Sequence, residues 1–214
     1  MRLSINHLIP LPLKQQHNTY NATAWKQDLV FNQGEHILVQ GPSGSGKTLF
    51  INTLYGLRKD FAGKVHWGAY NLHEITAQQL SQLRAASISV VFQDLRLFPE
   101  LTVWENIDIK RRITDTVTGY DAEQWLGRLG LGNKLEAPAA QLSAGEQQRV
   151  AIVRALSQPF EWLLLDEPFS HLDFFNRQKA VALIKEVAGY TRAGIIVSSV
   201  AMNEDFVYDK KMLL

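Results

Sequence analysis

The chain has no cysteine among its 214 residues, which excludes a disulfide framework and a thiolate metal site. It also has almost no net charge. Twenty-two basic and 21 acidic side chains leave +1, so no polyelectrolyte such as a nucleic acid is implied as a partner. Long hydrophobic runs are missing as well. The longest, such as Ile88 to Phe92 with a serine inside, fall far short of the roughly 20 apolar residues of a membrane span. The opening Met1-Arg2-Leu3-Ser4-Ile5-Asn6-His7 breaks its apolar pattern too early to read as a signal peptide. No repeat or low-complexity segment occurs. What is present is 46% hydrophobic and 20% charged, which suits one globular unit with a sizeable core. The expected location is the cytoplasm, with any membrane role exercised through a partner.

One stretch organises the rest. Gly41-Pro42-Ser43-Gly44-Ser45-Gly46-Lys47-Thr48 fits the phosphate-binding loop pattern G-x-x-x-x-G-K-[ST]. The apolar run His36-Ile37-Leu38-Val39-Gln40 before it reads as a buried strand. Leu49 to Tyr55 after it reads as a helix. Strand, glycine loop and helix together make a phosphate cradle: backbone N–H groups curl around anionic oxygens, and the helix N-terminus adds partial positive charge. Gly41 through Thr48, with Leu49 following, are therefore the candidate nucleotide contacts. Lys47 is placed to reach the β- and γ-phosphates, and the Thr48 hydroxyl to ligate Mg²⁺.

Around this stretch the chain reads as follows. Residues 2 to 9 form a strand that Pro10 and Pro12 break, and Lys14 to Thr19 form a loop. Tyr20 and Trp25 are two aromatics ahead of the cradle. Leu29-Val30-Phe31 is a short strand. Gly56 and Gly63 bracket a linker, and Val65-His66-Trp67 reads as an edge strand. Ala77 to Ala85 is weakly helical. Ile88 to Phe92 is a second buried strand, ending at Gln93-Asp94. A helical insert follows: Thr102 caps a helix through Lys110, and Asp121 caps another through Leu129, ended by Gly130 and Gly132. A helical run to Ser157 comes after Ser143. Glu161 to Leu165 is a third strand and ends at Asp166-Glu167. A carboxylate pair there suits Mg²⁺ and water activation, although a helix cap is the alternative use. Asp173 opens a helix to Ala188, Gly194 to Ser198 is a fourth strand, and Val207 to Leu214 a last one.

From about Tyr20 to Ser199 these motifs resemble an ATP-binding cassette, the ATPase subunit of an ABC transporter. Gly41 to Thr48 resembles its Walker A loop, and Gln93 its Q-loop glutamine. Leu142-Ser143-Ala144-Gly145-Glu146-Gln147-Gln148-Arg149 resembles the family signature. Leu163 to Pro168 resembles Walker B followed by the catalytic glutamate, and Ser170-His171-Leu172-Asp173 the D-loop. The signature is the most specific of these, because other phosphate-loop ATPases lack it.

The resemblance implies an α/β fold: a P-loop core with a mainly parallel sheet, an antiparallel β subdomain, and a helical subdomain at about 95–157, all in a single domain over 1–214. It implies ATP and Mg²⁺ as cofactors and ATP hydrolysis as the reaction. Glu167 would polarise water and Lys47 neutralise phosphate charge, while Thr48 and Gln93 hold Mg²⁺ and Asp166 reaches it through water. It implies two partners: a transmembrane permease-type subunit docking on the insert, and a second cassette paired head to tail. Ser143 and Gly145, with Glu146 beside them, would then close on the other cassette's γ-phosphate. No nucleic acid is expected, and the protein would sit peripherally on the cytoplasmic face of the membrane.

Tyr20 is the better match for the adenine-stacking aromatic, with Trp25 its rival. Residues 91–99 and the signature's Gly-Glu-Gln-Gln resemble cassettes of lipoprotein release, cell division and macrolide export. Asp166-Glu167-Pro168-Phe169-Ser170 looks more like importers. Three residues depart from the family pattern. Ala144 replaces a signature glycine, and Glu146 stands where many members carry glutamine. Ser199, or Ser198 if the match shifts by one, replaces the histidine that contacts the γ-phosphate. That last change makes slow hydrolysis an expectation and keeps a regulatory, weakly hydrolysing cassette as a rival. A soluble, non-transport cassette ATPase is the other rival.

Overall fold

The computed structural model describes residues 1–14, 25–200 and 204–214. Its elements begin β1 (Leu3–Pro10), α1 (Leu11–Lys14), β2 (Asp28–Phe31), β3 (His36–Gln40) and α2 (Lys47–Leu54). Next come β4 (Phe61–Trp67), β5 (Tyr70–Asn71), α3 (Ala77–Ala86) and β6 (Ile88–Val91). The helical stretch holds α4 (Val103–Arg111), α5 (Gly119–Arg128) and α6 (Ala144–Leu156). Then follow β7 (Trp162–Asp166), α7 (Phe174–Thr191), β8 (Gly194–Ser199) and β9 (Lys210–Leu213).

Two sheets form. Five strands in the order β6-β7-β8-β3-β9 pair in parallel throughout, and four in the order β2-β1-β4-β5 pair antiparallel. The parallel strands β3, β6, β7 and β8 are apolar on both faces, as strands covered on both sides must be, while the edge strand β9 buries only Met212. Their alternation splits the interior in two. Leu163, Leu165, Ile195 and Val197 join α4 to α7 in one core. Trp162, Leu164, Ile196 and Val39 join α2 and the antiparallel sheet in the other. Trp67 and Trp162 meet edge to face at 5.6 Å and tie the two sheets together.

Five local expectations are corrected. β4 is an interior strand, because the two-residue β5 takes the edge beyond it. Gly63 lies inside β4, where the pairing with β1 shifts register and a Cβ would collide with the Asn6 and His7 carbonyls. Pro10 does not break β1 but ends it, paired with Phe61, and residues 11–14 make a helical turn. Thr118, not Asp121, caps α5: its hydroxyl accepts from the Asp121 N–H, and Asp121 is the third helical residue. The last strand is also shorter than expected, starting at Lys210. Gly130 does end α5, at φ 75°, with its N–H on Gly127 O and the Leu131 N–H on Leu126 O.

Candidate active site

The loop between β3 and α2 holds the cradle. Gly41 is needed for space: a Cβ there would lie 2.5 Å from both Leu214 O and Ser45 Oγ. Gly46 is needed for conformation, at φ 101°, and its open face abuts Leu13 and the edge of Trp25. α2 starts at Gly46 with no side-chain cap and no acid in its first turn. Every other described helix of eight or more residues has a side-chain cap. The first N–H groups of α2 are thus left for an external anion.

Lys47 is buried in this loop. Its ammonium donates to the Gly41 and Pro42 carbonyls at 2.9 Å each and lies 3.2 Å from Glu167 Oε1. The Thr48 hydroxyl donates to Gln93 Oε1 at 2.8 Å and also lies against the Asp166 carboxylate. Its single proton can serve one of these at a time. Burial pushes the Asp166 carboxyl above its ordinary pKa, opposed by hydrogen bonds from Ser198 and Thr48. Ser43, Gly44, Lys47, Leu49, Gln93 and Glu167 line a cavity of about 210 Å³ over the loop.

Glu167 has φ 46°, a left-handed turn at the end of β7 that only over-determined backbone sustains. Ser198 holds it there. The Ser198 hydroxyl accepts from the Glu167 N–H at 3.1 Å and donates to Asp166 Oδ1 at 2.5 Å. One serine therefore orients both carboxylates. Sequence reasoning saw Ser198 only as a fallback for Ser199. The signal that could have found it is register: β8 pairs in parallel with β7, placing Ser198 opposite Asp166. Ser199, one residue on, accepts the Gly41 N–H on its backbone carbonyl at 3.2 Å.

The structure brings together Gly41 through Leu49, Gln93, Asp166 and Glu167. It does not bring Ser143, Gly145 or Glu146 into that cavity. They form the N-terminus of α6, where the Ser143 hydroxyl accepts from the Glu146 N–H at 3.3 Å and Glu146 Oε2 accepts from the Ser143 N–H at 2.9 Å. Lys134 donates to Glu146 Oε1 at 2.6 Å, and that contact, with the Ser143 N–H, draws Glu146 down to about 2. Gly145 packs close to the His171 carbonyl, which a Cβ would meet at 2.8 Å.

Gln148, quoted from the sequence within the signature motif but given no role of its own, is fully buried and ties α6 to the carboxylate segment. It donates to Glu167 O at 3.2 Å and accepts from the His171 N–H at 2.8 Å. Beyond the motif, its sequence signal was a polar residue on the buried face of an amphipathic helix. His171 is exposed and contacts the Ser170 hydroxyl. Trp25 is half-buried and meets Phe50 edge to face at 5.8 Å. Tyr20 lies outside the described residues.

Hard oxygen donors from Thr48, Gln93 and Asp166 converge here, the donor class that Mg²⁺ takes. Among the described residues no cluster of three His, Cys, Asp or Glu side chains could hold a metal by itself. A Mg²⁺ ion would thus share its ligands with phosphate oxygens, its usual habit. A larger cavity of about 600 Å³, between α5 and α7 near Trp125 and Tyr190, contains none of these residues.

Comparison with known proteins points one way. The family description "ABC transporter" matches residues 26–170. The lipoprotein-releasing system ATP-binding protein LolD of Shewanella oneidensis is 34% identical over 173 residues, 79% of this chain and 75% of that protein. LolD of Saccharophagus degradans is 35% identical over 173 residues, covering 79% and 76%. Among solved structures, the dimeric post-hydrolysis state of the ATP-binding cassette MJ0796 bound to ADP and Pi superposes with a TM-score of 0.77. It is 26% identical, over 92% of this chain and 87% of that one.

Proposed function

This chain belongs to the ABC transporter family and is an ATP-binding ATPase subunit of that family, and we propose that its work is done by the cradle and carboxylates described above. Lys47 would move its ammonium from the Gly41 and Pro42 carbonyls onto phosphate oxygens, releasing Glu167. Glu167, turned by its left-handed backbone and held by Ser198, would orient the attacking water and take its proton. Thr48 and Gln93 would hold Mg²⁺, with Asp166 reaching it through water. That ion, when bound, offsets the charge developing on the transferred phosphoryl group. The single observation that carries the reading is α2: it alone among the longer described helices is uncapped, and Lys47 stands in its first turn beside a catalytic-type carboxylate.

Hydrolysis in one cassette requires the signature of another. Ser143 and Gly145 lie outside their own chain's cavity, so they would serve the γ-phosphate of a second copy or a related cassette. The whole chain, 1–214, works as one domain in this reading, with residues of about 95–157 as its helical subdomain. The transmembrane partner docks on that subdomain, and the protein sits on the cytoplasmic face of the membrane through it. No described helix is long and apolar enough to cross a membrane itself. The likeness to LolD favours a partner of the lipoprotein-release kind over an importer permease.

Glu167→Gln tests this reading. It keeps the side chain's shape and removes the base, so ATP should persist and hold two cassettes together. Turnover should fall by on the order of 10²–10⁴. Sedimentation with ATP and Mg²⁺ should show a dimer that nucleotide-free protein lacks. A species that stays monomeric at high concentration, with and without the membrane partner, would refute the paired site.

A further inference from the structure

Glu167 stands in a conformation that its own sequence opposes. Its φ is 46°, left-handed for a residue with a Cβ, and Pro168 follows it. The proline ring pushes the residue before it toward extended backbone. Left to itself, Glu167 would extend and swing its carboxylate away from the cavity over the phosphate loop. Strain of this kind persists only where the surroundings hold it.

Two buried side chains do so, one on each side of the residue. The Ser198 hydroxyl accepts the Glu167 N–H at 3.1 Å, and the Gln148 amide donates to the Glu167 carbonyl at 3.2 Å. The Ser170 N–H reaches the same carbonyl only at 3.4 Å, beyond the usual range. Gln148 therefore supplies the closer hold.

Gln148 is 1% exposed, and its amide is fully engaged on the turn. Its nitrogen also donates to the Ser170 hydroxyl at 3.3 Å, and its oxygen accepts the His171 N–H at 2.8 Å. The mount is firm. Gln148 belongs to α6, whose following residues Val150 to Val153 are all buried. One turn earlier on the same helix face, Gly145 abuts the His171 carbonyl, which a Cβ would meet at 2.8 Å. α6 thus clasps the 167–171 turn at two levels.

We infer that Gln148 is a positioning residue for hydrolysis: by holding the Glu167 carbonyl it keeps the Glu167 carboxylate aimed at the attacking water. This rests on the reading of Glu167 as the base and adds the group that aims it. The hydrogen bonds of Gln148 go to residues 167, 170 and 171 and none goes to the phosphate loop, so ATP binding does not depend on it.

The test is steady-state ATP turnover by the purified complex carrying Gln148→Met, which keeps the side chain's length and removes its hydrogen bonds. A misplacement of about 1 Å costs on the order of 10²-fold, so kcat should fall at least about tenfold, with KM for ATP within about twofold of wild type. A wild-type kcat, or a loss confined to KM, overturns the inference. A double-mutant cycle then separates aiming from packing. In the Glu167→Gln protein, where no base remains to be aimed, Gln148→Met should cost less than about twofold further. The same loss in both backgrounds would show that Gln148 acts independently of Glu167 and would overturn the inference. Ile152→Val, which thins the buried face of the same helix without touching the turn, should lower the melting temperature and leave kcat within about twofold. If it lowers kcat as far as Gln148→Met does, the effect is general packing and the inference fails. Gln148→Ala, which leaves a polar hole that water can fill, takes the place of Gln148→Met should that variant not fold, with the same expectations. Unchanged turnover in Glu167→Gln alone would refute the base, and the inference with it; a fall there beside wild-type turnover in Gln148→Met would refute the inference alone.

Discussion

Two helix N-termini, those of α2 and α6, are the proposed phosphate contacts, and they are built in opposite ways. α2 opens at Gly46 with no side-chain cap and a lysine as its first residue. α6 opens at Ser143 with a full capping box and a glutamate in its first turn. A bare helix end attracts an anion with its unpaired N–H groups and partial positive charge. α2 is therefore ready within one chain, and Lys47 waits on carbonyls that a phosphate can replace. α6 has spent part of that attraction on Glu146, which Lys134 in turn neutralises. Capping uses a lone pair of the Ser143 oxygen and leaves its proton free to donate outward. An end stable without ligand suits a surface that meets phosphate only when another subunit brings it. In the proposed function the difference separates a site that binds from one that closes.

The most severe way to break this contrast is Lys47→Ala. It removes the cation of the α2 end, and turnover should fall by on the order of 10³ or more, beyond the loss of a single neutral donor. Steady-state phosphate release checks it; unchanged nucleotide affinity and turnover would refute the cradle. Ser199→His acts on the same side in the opposite direction. Serine is too short to replace an imidazole donor at the γ-phosphate, so histidine should raise turnover of the purified complex by at least about tenfold, part of the 10²–10³ that such a donor is worth. A wild-type rate that histidine does not raise would show that this position does not limit hydrolysis.

Ser143→Ala tests the α6 end. It should weaken ATP-driven pairing of the Glu167→Gln protein about tenfold, for a lost hydrogen bond to charge, with about 1 kcal/mol of fold stability lost with the cap. Loss of stability with pairing intact would make Ser143 a cap and nothing more. Glu146→Gln is the mildest. Removing a negative charge near the incoming phosphate, with Lys134 set free, should tighten pairing by no more than about fivefold. Glu146 is held at about 2 by Lys134 and the Ser143 N–H, below the ordinary carboxylate value. Its contribution to stability is therefore full above that ordinary value and fades as pH falls through about 2. Pairing differences between wild type and Glu146→Gln should consequently be flat from pH 6 to 8; a titration inside that window would contradict the Lys134 contact.

Much of the catalytic half was legible because its signals are local. The phosphate loop is eight consecutive residues, and strand, loop and helix follow in order. Thr102, Ser143 and Asp173 were readable as caps, since a cap acts on an N–H three residues on. Thr118 was missed by the same logic misapplied: the acid at 121 drew attention from the hydroxyl that precedes it by three. Val65 to Trp67 read as an edge because the two-residue β5 that covers it is too short to announce itself.

By itself, then, the sequence determined the chemistry that runs along the chain: the cradle, the cation in it, the carboxylates at a strand's end, the capped signature helix and the two-faced apolar strands of a buried parallel sheet. The tertiary structure alone decided what meets across it. Ser198 reaches Asp166 and Glu167 because β8 lies beside β7 in one register, and a shift of one residue would point that hydroxyl to the opposite face. Gln148 reaches the carboxylate turn, and Lys110 and Arg154 share a groove without an acid, because α4 to α7 pack together on one sheet face. Local rules fix conformation over three or four residues. Which side chains separated by 19 to 32 positions become neighbours is set by strand register and helix packing, which no single stretch of the chain displays.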